Sequence, residues 1–114
     1  MAFLGWLRSK WSPRYRAYWL YQRGVFRAKA GLTSQAIQDY CDVIDIAQTP
    51  PSVRAMARYN WALLLWASGE QEQAHQELTN VLEDAGAPER VKAEARRKIL
   101  RISRSSERSD PIEK

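Results

Sequence analysis

One cysteine, one histidine and two phenylalanines in 114 residues close several routes at once. With Cys41 alone, neither an intrachain disulfide nor a metal site of several thiolates can form, and the residue is expected to be a small, half-buried member of a helix. His75 has no nucleophile or orienting carboxylate at a recognisable spacing, so it is read as packing partly against the core with one nitrogen in water. No Gly-rich phosphate loop and no zinc spacing occurs. Asp39, Asp42 and Asp45, three residues apart, mark a solvated helix face rather than a loop of oxygen ligands. No apolar run approaches ~20 residues, which excludes a spanning helix, and Met1 to Trp11 lacks the features of a secretory signal. The expectation is a non-enzymatic, cytoplasmic protein that needs no metal and no cofactor.

Acidic residues are missing from one stretch in particular. Residues 1 to 30 hold seven basic side chains and no acid, residues 31 to 90 three and nine, and residues 91 to 114 eight and four, for a net charge of +5. Basic ends around an acidic middle either steer an anionic surface or help stacked units dock.

What is abundant is helical patterning with aromatics: five tryptophans, five tyrosines, and apolar positions at three and four residue intervals. Met1 to Trp11 places Phe3, Leu4, Leu7 and Trp11 on one stripe, a short amphipathic helix too small to hold alone. It is expected to dock on the first hairpin, with a second copy of the chain or a membrane surface as alternatives. Ser12 and Pro13 signal a helix start, running to about Ala30 and stopped by Gly31. Thr33 or Ser34 would cap a second helix ending near Gln48. Thr49 or Ser52 would cap a third, which starts at Pro50 or Pro51, is apolar nearly all round from Trp61 to Trp66, and therefore belongs at the centre. After Gly69-Glu70 a fourth helix buries Ala74, Leu78, Val81 and Leu82 as far as about Ala85. Gly86-Ala87-Pro88 opens a fifth, with Val91, Ala95, Ile99 and Ile102 on one stripe.

These elements repeat. Pro13, Tyr15, Arg16, Ala17, Tyr21 and Gly31 precede Pro51, Val53, Arg54, Ala55, Tyr59 and Gly69 by 38 residues, and Val91, Lys92, Ala93, Ala95 and Arg96 follow Val53, Arg54, Ala55, Ala57 and Arg58 by the same offset. A fixed period with matched chemistry is the mark of stacked units that bury apolar faces only against their neighbours. The recurring cations Arg16, Arg54 and Lys92 suit bonds to neighbouring helix ends.

Gly31 and Gly69, Ala36 and Ala74 five residues on, and Tyr40 and Leu78 four further, make residues 13 to 103 resemble the tetratricopeptide repeat family. Gly24 and Ala62 match that family's small residue midway along the first helix of a unit, and Ala36 and Ala74 its close-packing alanine. The period departs from the family's ~34, the extra residues lying in the Pro-rich breaks. The resemblance implies an all-α, right-handed stack of antiparallel helical hairpins: repeat 1 at 13–50, repeat 2 at 51–88 and a capping helix at 88–103. Composition and patterning add a basic amphipathic segment at 1–12 before it and a polar, charged, disordered tail at 104–114 after it.

It also implies a concave groove lined by the first helix of each unit and used to hold a partner's peptide or helix. Carried over by position, the first unit supplies Tyr18, Tyr21, Gln22, Val25 and Lys29. The second supplies Met56, Tyr59, Asn60, Leu63 and Trp66, the last of which also suits the core. Arg97 and Arg101 would form one wall. Aromatics and arginines are common contact hot spots. The carboxylate-gripping arrangement of some members is met only in part: Asn60 stands where one of its asparagines would be, but Tyr21 replaces a basic residue and there is no full third unit, while Arg97 and Arg101 keep anion binding open. The rival class is nucleic-acid binding through the Arg- and aromatic-rich stretch from Arg8 to Lys29, disfavoured by the acidic middle. Homo-oligomerisation is a further alternative, since two units leave apolar edges.

Overall fold

The computed structural model describes residues 12–109, with side chains described to residue 105, and the elements among them are five α-helices. They are α1 (Pro13–Lys29), α2 (Thr33–Asp45), α3 (Pro51–Ala67), α4 (Gln71–Glu83) and α5 (Glu89–Ser109). The expected amphipathic segment from Met1 to Trp11 and the end of the expected tail, residues 110–114, lie outside the described residues.

Local chemistry explains most boundaries. The Ser12 side chain accepts a hydrogen bond from the Tyr15 backbone N–H at 3.1 Å, satisfying one of the free donors that open α1. Gly31 and Gly69 both sit in the left-handed region, at φ 82° and 90°, and turn the chain back sharply after α1 and α3. Leu32 N–H then donates to Arg27 C=O, and Glu70 N–H to Leu65 C=O, each at 2.8 Å, so the two turns are built alike.

Several expected ends differ. Neither Thr33 nor Ser34 caps α2; the flanking residue is Leu32, which makes no side-chain cap, and its carbonyl simply accepts from Ala36 N–H. Neither Thr49 nor Ser52 caps α3, which starts at Pro51 with Pro50 before it. Thr49 instead is buried, its hydroxyl donating to Val43 C=O at 2.7 Å and locking the break to the end of α2. The helices α2 and α4 stop at Asp45 and Glu83, short of Gln48 and Ala85. The last helix runs through Arg104 to Ser109, where a disordered tail was expected from 104, because no glycine or proline interrupts the sequence between Pro88 and Ser109.

Consecutive helices pack against each other, and α3 touches all four of the others. It separates two apolar clusters. Leu20, Ala36, Tyr40 and Val43 from α1 and α2 meet Val53 and Ala57 of α3, whereas Ala55 and Ala62 of α3 meet Leu78, Val81, Val91, Ala95 and Ile102 of α4 and α5. This is why the segment from Trp61 to Trp66 has to be apolar on more than one side: Trp61 and Leu64 serve the first cluster and Trp66 the second. Val53 and Val91 are both buried, at 1% and 6% exposure, while Tyr15, their counterpart in the first unit, is 59% exposed.

The three aspartates of α2 do not share one environment. Asp39 is 1% exposed, bracketed by Arg23 at 2.8 Å and Arg27 at 3.2 Å from α1. Its counterpart one period on, Glu77, is also buried and is bonded by Arg58 of α3 at 2.6 Å. Each hairpin thus carries one acid between its helices, a feature the three-residue spacing concealed. Of the recurring cations, Arg54 does bond a neighbouring helix end, donating to the carbonyls of Ile46, Ala47 and Thr49. Arg16 is exposed and Lys92 is half-buried without such a bond.

Candidate partner-binding groove

The helices α1, α3 and α5 lie side by side in the order α1, α3, α5, since α3 touches both of the others and they do not touch each other. On that shared side two small cavities open, and both are lined by Asn60. One, of about 210 Å³, is walled by Val25, Ala28, Lys29, Tyr40, Leu63 and Leu64. The other, of about 250 Å³, is walled by Tyr21, Met56, Tyr59, Arg90, Val91 and Glu94.

Asn60 is held between them. Its amide nitrogen donates to the hydroxyl of Tyr21 at 3.2 Å and, at the limit of a hydrogen bond, to that of Tyr40 at 3.5 Å. The two tyrosine rings stand 6.0 Å apart at a tilt of 49°, so α1, α2 and α3 meet at one polar knot inside an apolar setting. The amide oxygen accepts no hydrogen bond from the described residues.

Burial pushes the Tyr40 phenol up to about 12, against the opposing effect of the Asn60 hydrogen bond. Burial also raises Tyr59, helped by the Glu94 carboxylate and opposed by Arg97 and Arg101. Both phenols are therefore neutral near pH 7 and act as hydrogen-bonding groups rather than bases. Burial and Asp45 raise the half-buried Cys41 thiol, the wrong direction for a nucleophile.

Tyr21, Val25, Lys29, Met56, Tyr59, Asn60 and Leu63 from the sequence reading thus come together around the two cavities. Tyr18 and Gln22 are exposed on α1 and line neither cavity, though they share the helical stripe of Tyr21, Val25 and Lys29. Arg97 is paired with Glu94, and with Arg101 it lies close enough to Tyr59 to influence its phenol. Trp66 packs on the second cluster, with the Lys98 ammonium 5.6 Å from its ring. Arg90 and Glu94 were missed, although the period places them at the level of Ser52 and Met56. His75, expected to pack partly on the core, is exposed and lines a shallow depression with Gln71, Glu72 and Gln76 of α4 and Ile102 and Ser103 of α5.

Compared with family models, with curated proteins and with solved structures, the chain matches none. Among the described residues no group of histidine, cysteine and carboxylate side chains is arranged to hold a metal ion, and no helix is long and apolar enough to cross a membrane.

Proposed function

We infer that this chain is a non-catalytic adaptor, a right-handed tetratricopeptide-like stack that holds an extended peptide or helix of a protein partner along α1, α3 and α5. The observation that carries this reading is the position of Asn60, which lines both apolar cavities. A side-chain amide between two apolar pits suits a ligand whose backbone needs a polar contact while alternate side chains enter the pits. Arg101 and the Arg97–Glu94 pair supply charged groups at one rim, where polar contacts favour orientation over raw affinity.

The arrangement of cations supports a protein ligand over a polyanion. Two arginines of the basic α1, Arg23 and Arg27, are tied to Asp39, and Arg23 also lies over the Trp19 ring at 4.5 Å. They are not free to track phosphates.

The test is affinity capture from the native lysate with wild type and with a Leu63→Glu/Arg101→Glu variant, after circular dichroism has shown equal helix content. Loss of a specific captured protein from the variant supports the groove. The same proteins captured by both would remove it.

A further inference from the structure

The helix α5 stands in the series of α1 and α3, yet among the described residues it has no second helix of its own. The consequence is visible on one flank. Positions 17, 20 and 24 of α1 are buried, and so are Ala55, Ala62 and Leu65 of α3, with Arg58 in an ion pair. One period on, Ala93 is half-buried, and Arg96, Leu100 and Ser103 are exposed. Leu100 is 55% exposed and Arg96 53%, its nearest acid being Glu89, itself 82% exposed, at 3.4 Å.

We propose that this flank of α5 is a docking site for an acidic amphipathic helix of a partner protein, which completes a third hairpin. Two regularities of the complete hairpins say what that helix must carry. The first is charge. Both second helices bury one acid, Asp39 or Glu77, against arginines of the first helix, and Arg96 occupies the place of Arg58. A docked helix therefore presents an acid to Arg96.

The second is size. The residue after each acid, Tyr40 or Leu78, packs where the first helix is small. A Cβ on Gly24 would lie 2.7 Å from the Tyr40 ring, and Ala62 shares a cluster with Leu78. Glycine opposite tyrosine and alanine opposite leucine keep the summed volume roughly constant, as close packing requires. Leu100 is the third member of that set, so its partner is small. Ala36 and Ala74, three residues before each acid, are fully buried in both units. The helix that fits reads alanine, two residues, an acid, then alanine, glycine or serine.

Neither flanking stretch of the sequence reads as such a helix: residues 1–11 contain no acid, and Pro111 disrupts the pattern across residues 110–114. A second copy does not offer its hairpin acids either, since its own Asp39 and Glu77 are already paired.

The probe is a synthetic, labelled peptide of residues 70–85 carrying Leu78→Ala, with Gln76→Lys joined to Glu72 by a lactam on its solvent side to hold the helix. It is titrated against the full chain at low salt and followed by anisotropy. The expected result is saturable binding that Arg96→Glu or Leu100→Asp in the chain weakens by about tenfold or more, as the loss of a close charge pair or apolar contact does. A peptide that also carries Glu77→Arg is expected to regain affinity for the Arg96→Glu chain. Leu63→Glu, on the groove, leaves peptide binding unchanged, so failure here and failure of the groove are told apart. Absence of binding up to ~1 mM, the weak end of specific affinities, overturns the proposal. Equal affinity for the wild-type and Arg96→Glu chains also overturns it. Light scattering that shows a dimer dispersed by Leu100→Asp would assign the flank to a second copy and overturn it too.

Discussion

Gly24 and Tyr40 share one volume: a Cβ built on the glycine would stand 2.7 Å from Cε1 and 3.0 Å from Cδ1 of the ring. The ring is 2% exposed and belongs to the cluster that joins α1 and α2 to α3, so a shift away from Gly24 disturbs that packing. The hydroxyl of the same ring reaches Asn60, which ties the closeness of the first hairpin to the geometry of the groove.

Gly24→Ala is accordingly expected to destabilise the chain. Alanine gains about 1 kcal/mol over glycine inside a helix, but overpacking a filled core costs about 1–3 kcal/mol. Denaturant titration should show a lowered midpoint at unchanged slope. Adding Tyr40→Leu, which recreates the Ala62–Leu78 combination, should recover much of the loss; strictly additive effects would contradict the shared volume.

The ion cluster at Asp39 predicts an asymmetry. Arg23→Met with Arg27→Met leaves a carboxylate at 1% exposure without its partners, and removing the partner of a buried charge costs about 3–5 kcal/mol. Asp39→Asn should cost clearly less, because the arginine side chains are 34% and 25% exposed and can turn to water. Equal midpoints for the two variants in urea would refute the arrangement.

Tyr40 gives the chain an alkaline limit. Its phenol titrates from the ordinary 10.0 in the unfolded chain and from about 12 in the folded one, burial being the main cause. Between those values the unfolded state binds fewer protons, so its contribution to stability is whole below pH 10 and is lost as pH rises toward 12. Urea midpoints measured across that window should fall for wild type and fall less for Tyr40→Phe. Identical slopes would show that Tyr40 is not the group responsible.

Among the described residues the buried indole N–H of Trp61 has no hydrogen-bond partner, although the ring packs on the first cluster. Removing an unsatisfied donor offsets part of the packing lost with a smaller ring. Trp61→Phe should therefore lower stability by only ~1 kcal/mol or less, well under the 3–5 kcal/mol typical of truncating a buried tryptophan to alanine. A thermal melt comparing Trp61→Phe with Trp61→Ala measures the difference.

The groove shows which residues were legible in advance. Tyr21, Val25, Met56, Asn60 and Leu63 were reachable because a period of 38 and a helical repeat of 3.6 together place them on one side. Glu94 lies one period after Met56 and was within reach of the same logic, whereas Arg90, one period after Ser52, comes beside Tyr59 only through the approach of α5 to α3.

Local signals were sufficient for the helices themselves. Ser12, Gly31, Gly69 and the Pro-rich breaks act through their own backbone conformation or a bond a few residues away, and the apolar stripes follow from periodicity, so all of these could be read along the chain. The fate of Asp39 could not, since its three-residue spacing from Asp42 and Asp45 is equally that of a wet face and its arginines lie 12 and 16 residues back. Nor could the double role of Tyr40 as the filler of Gly24 and the neighbour of Asn60, or the bare flank of α5. Each of these depends on how closely two helices approach and where they cross, which is decided by side-chain volumes meeting across the interface and not by order along the chain.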